Sequence, residues 1–468
     1  MSDIPGIERR TKIVCTIGPA TSSRAQLRAL LERGMNVARL NFAHGEPAEH
    51  GAVLAGIRAL SEELDVPTAV LQDLAGPKVR IGTLAPGSVE LEPGRQFTLT
   101  TRPVEGSRDH VSVSYARLPA EVGVGDTLLL ADGVIHLRVE RVTGEDIHCQ
   151  VVVGGRLGSR KGVNVPSGLP GLPILEDKDL RDLRVGLEQG IDYLGLSFVR
   201  SAEDVRAARA HIDRLGGHVP VIAKIETQAA LDHFDEILDA ADGIMIARGD
   251  LSIETPFARV PIVQKHLIAE ANRRAKPVIT ATQMLFSMVS SPQPTRAEVA
   301  DVANAILDGS DAVMLSEETA IGQHPVRAVE VMAAIALETE RGALQGSRPS
   351  GASAEPQSDE EAVVQAACQL AAHRGLDVVV TVTVTRTGET ARLAAKHRPA
   401  QPIVALTGDP ETRRRLALVR GVLPLLLRAS SQEPQEMIAV ARRAARERGW
   451  RDMRAVFVSH DWLWTGRL

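Results

Sequence analysis

Aromatic side chains are scarce: seven Phe, two Tyr and three Trp make up 3% of 468 residues. So few rings argue against a base-stacking platform for single-stranded nucleic acid. Positive charge is not in surplus either, because 54 Lys and Arg face 59 Asp and Glu, a net charge of −5. A phosphate-backbone footprint needs a basic excess, so nucleic acid is not an expected partner. Cysteine is limited to Cys15, Cys149 and Cys368, odd in number and far apart. That fits reduced, mostly buried thiols better than a disulfide framework. No run reaches the roughly 18 apolar residues of a membrane span. The N-terminal MSDIPGIERR lacks the apolar stretch of a secretory signal. The expectation is a soluble cytoplasmic protein with no membrane partner.

What is present is a large apolar fraction, 44%, enough for several cores and about two to four domains. Eight short apolar runs recur, most followed by helical patterns: TKIVCTIGP, MNVARLNF, TAVLQDL, YLGLSFV, VPVIAKIE, GIMIARGD, PVITATQM and AVMLSEE. Continuous apolar strands alternating with helices signal a parallel sheet, and eight such units a closed (β/α)8 TIM barrel. The spacing predicts barrel segments over 1–77 and 174–340. Between the third and fourth runs, over 78–173, the pattern changes to short alternating pieces such as VSVSYARL and IHLRVERV. This reads as a small inserted β-barrel lid leaving the end of the third strand, over the mouth of the barrel. A Gly/Ser/Pro-rich stretch, 341–359, reads as a linker. A C-terminal open α/β domain over 360–468 follows, its first helix opened by Ser358 and Glu361 in a capping-box pattern.

In such a barrel the strand ends converge on the active site. Here they supply Thr16, Pro19, Arg39, Asn41, Asp73, Ser197, Lys224, Glu226, Arg248, Asp250, Thr282, Ser316 and Glu318. Glu226 and Asp250, on neighbouring strands, suit a hard divalent cation that completes its shell with water and substrate oxygens. Lys224, two residues before Glu226, faces the same way. An ammonium beside a metal suits a transferring phosphoryl group, and Arg39 and Arg80 suit phosphate oxygens. The plainer alternative is a set of structural salt bridges among the same side chains.

Seven stretches, CTIGPAT, GMNVARLNFAHG, GVNVPSGLPGLP, IAKIET, ADGIMIARGDL, KPVITATQML and PTRAEVADVANAILDGSDAVMLSEETA, resemble the motifs of the pyruvate kinase family in the same order over nearly the whole chain. The last is the most specific. The resemblance implies phosphoryl transfer from phosphoenolpyruvate to ADP, giving pyruvate and ATP. It implies Mg2+, or Mn2+ in its place, on Glu226 and Asp250. Lys224 is then expected to stabilise the moving phosphoryl group, and Gly249 and Asp250 to offer backbone N–H to the substrate carboxylate. Thr282 and Ser316 lie where the enolate is protonated, and Arg39 meets phosphate. Thr16, Pro19, His44, Arg80 and Lys161 border the nucleotide. The family is usually tetrameric, so a homotetramer is expected.

The departures carry their own expectations. NFAH replaces the usual NFSH, and DLAGPKVR the usual DTKGPEIR. Ala43 thus lacks a hydroxyl at the family's potassium site, where Asn41 and Asp73 remain, and Lys78 stands where a Glu is usual. The expectation is that Lys78 replaces the ion, pairs with Asp73, and removes the need for K+. SEETA puts Glu317 beside Ser316, where it is expected to press on the substrate region. In the C-terminal domain the turn of Thr385, Arg386, Thr387, Gly388, Glu389 and Thr390 opens a helix and matches the family's sugar-phosphate loop, so a sugar-phosphate effector is expected there. The final VSHDWLWTGRL departs from the usual Gly-rich loop. It reads as a hydrophobic tail on its own domain. The competing functions are an enolate enzyme that uses no nucleotide, which the lid and Lys161 argue against, and a non-catalytic regulator, which the intact acid pair argues against.

Overall fold

In the computed structural model, which describes residues 9–85, 87–346, 355–383, 387–427, 434–450 and 452–468, the eight apolar runs form parallel strands. They are β1 (Lys12–Ile17), β2 (Val37–Asn41), β3 (Ala69–Asp73), β4 (Tyr193–Leu196), β5 (Val221–Ile225), β6 (Gly243–Ala247), β7 (Val278–Ala281) and β8 (Ala312–Leu315). They close into a ring in which each strand pairs with its sequence neighbours and β1 pairs with β8. The strands are apolar throughout because both faces are covered. Outward side chains such as Ile13, Cys15, Val70 and Ile244 pack under the helices. Inward ones such as Val14, Leu71, Ile222 and Met245 fill the ring. Ala417 and Leu418 of the C-terminal domain join that inner cluster, so this domain plugs the end of the barrel opposite the strand termini.

The inserted segment builds a six-stranded sheet around Phe97, Leu128, Leu137 and Ile147, with a two-stranded ribbon of Ser88–Leu91 and Gly155–Gly158. Its two connections pair with each other, Val163 N–H on Val79 O (2.8 Å) and Ile81 N–H on Lys161 O (2.9 Å). The C-terminal domain is a five-stranded sheet, four strands parallel. Its last strand, Leu463–Arg467, returns antiparallel beside Arg454–Val458. Trp464 packs against Phe457 yet stays 38% exposed, with Leu463 41% exposed, so the tail lies on its own domain but is only partly covered. The helix Pro325–Gly346 runs through the first six residues of the stretch read as linker, because its Ala/Leu pattern continues past Arg341. All three cysteines are buried and unpaired; burial pushes the thiols of Cys149 and Cys368 up to about 12.

The junction between barrel and C-terminal domain is charged. Asp192, buried, takes Arg58 of the barrel and Arg414 of the C-terminal domain, each at 2.7 Å. Lys12, 8% exposed, donates to Val422 O at 2.8 Å. Burial pushes its pKa down to about 7 from 10.5, Arg9 adds to the fall, and Glu340 and Asp311 oppose it. Between those values the unfolded chain holds one proton more than the folded chain. Stability therefore rises with pH across that window, by up to about 1.4 kcal/mol per unit from this group. In Lys12→Met the gain in chemical-denaturation midpoint between pH of about 7.5 and about 9.5 is expected to shrink against wild type.

Candidate active site

At the strand ends the charges alternate in sign. Thr16 of β1 and Arg39 of β2 are register partners, and so are Asn41 of β2 and Asp73 of β3. Arg39 Nε donates to Asp73 Oδ2 at 2.6 Å, and its Nη1 to Thr16 Oγ1 at 3.0 Å. Lys224 Nζ, near the end of β5, lies 3.2 Å from Asp73 Oδ1 and 2.9 Å from Glu226 Oε1. It also donates to Ser197 Oγ at 2.7 Å. Glu226 Oε2 accepts the Phe198 N–H at 2.7 Å. Burial alone would raise the Asp73 pKa, but Arg39 and Lys224 outweigh it and hold the carboxyl below its usual range. Burial disfavours charge on Lys224 too, yet Asp73 and Glu226 raise its pKa. Glu226 goes the other way: burial, helped by the nearby Asp250, raises it despite Lys224. A carboxyl in that state favours the arrival of a cation.

Asp250 sits in the first turn of the helix Arg248–Glu254 that follows β6, half-buried beside Lys78. Among the described residues no three His, Cys, Asp or Glu side chains form a metal cage. Two carboxylates with room for water and substrate oxygens are a donor set that fits Mg2+ and not a closed structural site.

Thr282 has φ +69, a left-handed conformation that strains a β-branched residue. Its carbonyl is held by Arg248 Nη2 at 2.8 Å, and Arg248 is itself anchored by Asp301. Its hydroxyl accepts the Gly249 N–H at 2.8 Å and donates to Ala281 O at 2.6 Å. The Gly249 donor expected for a substrate carboxylate is therefore already engaged, and such a carboxylate must share or replace the Thr282 hydroxyl. Ser316 Oγ is buried with no hydrogen-bond partner among the described residues.

One expectation is corrected. Lys78 does not pair with Asp73, whose oxygens face Arg39 and Lys224; the Lys78 ammonium lies 4.0 Å from Asp250 Oδ1. Asp73 points into the ring from the end of β3, whereas Lys78 comes after a turn that carries the chain outward over Ser197. Gly76 makes that turn with φ +66, and a Cβ there would meet Ser197 Cβ at 2.9 Å. Glu317 is exposed. Its neighbour Glu318 is the buried acid, accepting the N–H groups of Ser316 (2.7 Å) and Leu285 (3.0 Å). Burial raises the pKa of Glu318. Glu318 and Arg248 were visible in sequence as strand-end polar residues, but nothing there assigned them the loops they hold.

The remaining residues stand at the rim. Pro19, His44, Arg80 and Lys161 are exposed. Arg80 Nη1 donates to Arg160 O of the lid at 3.2 Å. Asn41 Oδ1 accepts the Ala43 N–H at 3.2 Å. In the C-terminal domain Thr385 and Arg386 lie outside the described residues. Thr387 is exposed, Gly388 has φ +68 ahead of the helix Glu389–Lys396, and Thr390 Oγ1 donates to Glu360 Oε1 at 2.6 Å.

Comparisons with known proteins cover nearly the whole chain. The family model described as pyruvate kinase, barrel domain, matches residues 8–329, and that for the pyruvate kinase alpha/beta domain matches 361–460. The chain is 49% identical over 442 residues to pyruvate kinase 2 of Synechocystis sp., covering 93% of this chain and 74% of that protein. To pyruvate kinase of Thermotoga maritima it is 43% identical over 425 residues, covering 91% of this chain and 90% of that one. The crystal structure of a pyruvate kinase from Cryptosporidium parvum superposes with a TM-score of 0.91 at 36% identity, covering 98% of this chain and 96% of that one.

Asp73, 1% exposed, is the shared anion of two cations. Asp73→Asn is expected to lower stability by roughly 3 kcal/mol, because two buried cations lose their common partner. Equilibrium chemical denaturation checks this.

Proposed function

This chain belongs to the pyruvate kinase family, and from that membership we propose that it moves the phosphoryl group of phosphoenolpyruvate to ADP, giving pyruvate and ATP in glycolysis. The observation that carries the reading is the set of Lys224, Glu226, Asp73 and Arg39, packed within hydrogen-bond distance at the barrel mouth with Asp250 alongside. Mg2+, or Mn2+, held by Glu226 and Asp250 would neutralise phosphate charge. Lys224 faces the moving phosphoryl group, and its raised pKa keeps it charged there. Arg39, fixed by Asp73 and Thr16, offers its remaining N–H groups to phosphate. Thr282 and the unpartnered Ser316 hydroxyl border the carbon that takes up a proton. Pro19, His44, Arg80 and Lys161 border the nucleotide from the rim and the lid.

The reading extends to independence from K+. Ala43 has no side-chain oxygen to offer an ion, and Asn41 already accepts from the Ala43 N–H. Lys78 brings a tethered positive charge to the neighbouring acid pair instead, beside Asp250. The protein is taken to be cytoplasmic; among the described residues no helix is long and apolar enough to cross a membrane. Self-association, with a homotetramer as the expected state, is supported by exposed Phe257 (78%), Ile262 (67%) and Leu307 (58%) on adjacent outer segments of the barrel. A sugar monophosphate at 385–390 completes the reading, with backbone N–H groups as its donors, since the Thr390 hydroxyl is committed to Glu360.

A coupled assay is expected to give ATP from phosphoenolpyruvate and ADP in Mg2+, and Glu226→Ala to lose about a thousandfold or more in kcat. Near-normal turnover in that variant would remove the metal assignment. Turnover is expected to be nearly equal in K+ and in a bulky organic cation at the same ionic strength. Lys78→Glu should cut activity sharply, with K+ restoring only part. A wild-type rate that rises about tenfold on adding K+ would remove Lys78 as the substitute cation.

A further inference from the structure

Each carboxylate of the acid pair has its own lysine. Glu226 has Lys224 at 2.9 Å, and Asp250 has Lys78 at 4.0 Å. The two lysines differ in what else they hold. Lys224 is also tied to Asp73 and Ser197, so a metal ion at Glu226 leaves it paired. Among the described residues Asp250 is the one carboxylate in an ion pair with Lys78. A divalent ion at Asp250 takes that partner away and sets a +2 charge beside an ammonium.

The position of Lys78 is constrained from three sides. Its Nζ lies 5.8 Å from the centroid of the Phe198 ring. Phe198, at φ +56, also gives its N–H to Glu226, so one residue fixes a metal carboxylate and flanks the competing cation. On the lid side the backbone of Gly162 is close enough that a Cβ there would lie 3.0 Å from Lys78 Cε. The paired connections to the lid begin one residue on, at Val79.

We propose that Lys78 is an internal counter-ion of the divalent site: without metal its ammonium neutralises Asp250, a metal ion must displace it, and phosphoenolpyruvate assists by giving Lys78 a phosphate to pair with instead. The proposal rests on the reading that Glu226 and Asp250 hold the metal. Both groups of the Lys78–Asp250 pair are about a third exposed, 29% and 33%, so solvent screens the repulsion. About tenfold in affinity is the expected scale. Linkage then requires Mn2+ and phosphoenolpyruvate to bind cooperatively, and part of that coupling belongs to Lys78.

The test is Mn2+ binding to the full chain, read from the free-ion electron paramagnetic resonance signal, in a tetramethylammonium buffer free of K+. Without substrate, Lys78→Met is expected to bind Mn2+ about tenfold tighter than wild type. The tightening produced by phosphoenolpyruvate should be smaller in the variant by the same factor. Lys78→Gln, shorter and polar, repeats the measurement in case the methionine disturbs the lid, and circular dichroism establishes that each is folded. Unchanged or weaker Mn2+ binding in the folded variants overturns the proposal. Glu226→Gln separates the two failures: undiminished Mn2+ binding there overturns the metal assignment itself, and the proposal with it.

Discussion

The charged interior of the barrel mouth depends on one buried carboxylate, Asp73. It stands at the end of β3 and satisfies two cations that would otherwise repel, Arg39 and Lys224. Removed from water, two cations at such separations are tolerable only with an anion between them. Outward from that anion Lys224 meets Glu226, and beyond it a second acid, Asp250, meets Lys78. Asp73 and Lys224 hold each other charged and in place before substrate arrives, so little reorganisation of this pair is needed when phosphate enters.

The scaffold holding these charges was legible in the sequence for a simple reason. A strand buried on both faces must be apolar along its length, and each of the eight runs is. The polar residue that ends a run therefore stands out, which is how Asp73, Lys224 and Glu226 became visible without a structure. Connections between strand ends were not legible. Asp73 and Lys78 are five residues apart and opposite in charge, an obvious pair along the chain; the turn at Gly76 sends them in different directions. Glu317 and Glu318 are adjacent and chemically alike, and only the facing of the short helix Glu317–Ala320 makes one a solvated surface group and the other a buried tie between two loops. The extent of the helix Pro325–Gly346 escaped because Gly, Ser and Pro just beyond it dominate the local composition.

The opposite end of the barrel follows a related logic with a different outcome. There too acids sit buried between basic groups, Asp192 between Arg58 and Arg414. The cations come from different domains, so the carboxylate acts as a fastener. Leu418 completes the joint by entering the barrel interior. The fold thus places rigid docking at one end and an insertion on a two-strand tether at the other.

That tether has a consequence for motion. Lys78 lies on the connection between the barrel and the inserted sheet, one residue before the paired segments begin. Any swing of the insertion about this hinge carries a full positive charge through the field of Asp250 and Glu226. A hinge motion here would be an electrical displacement as well as a mechanical one. Such a swing would respond to the charge state of the cleft, much as a gating charge ties a channel's shape to voltage.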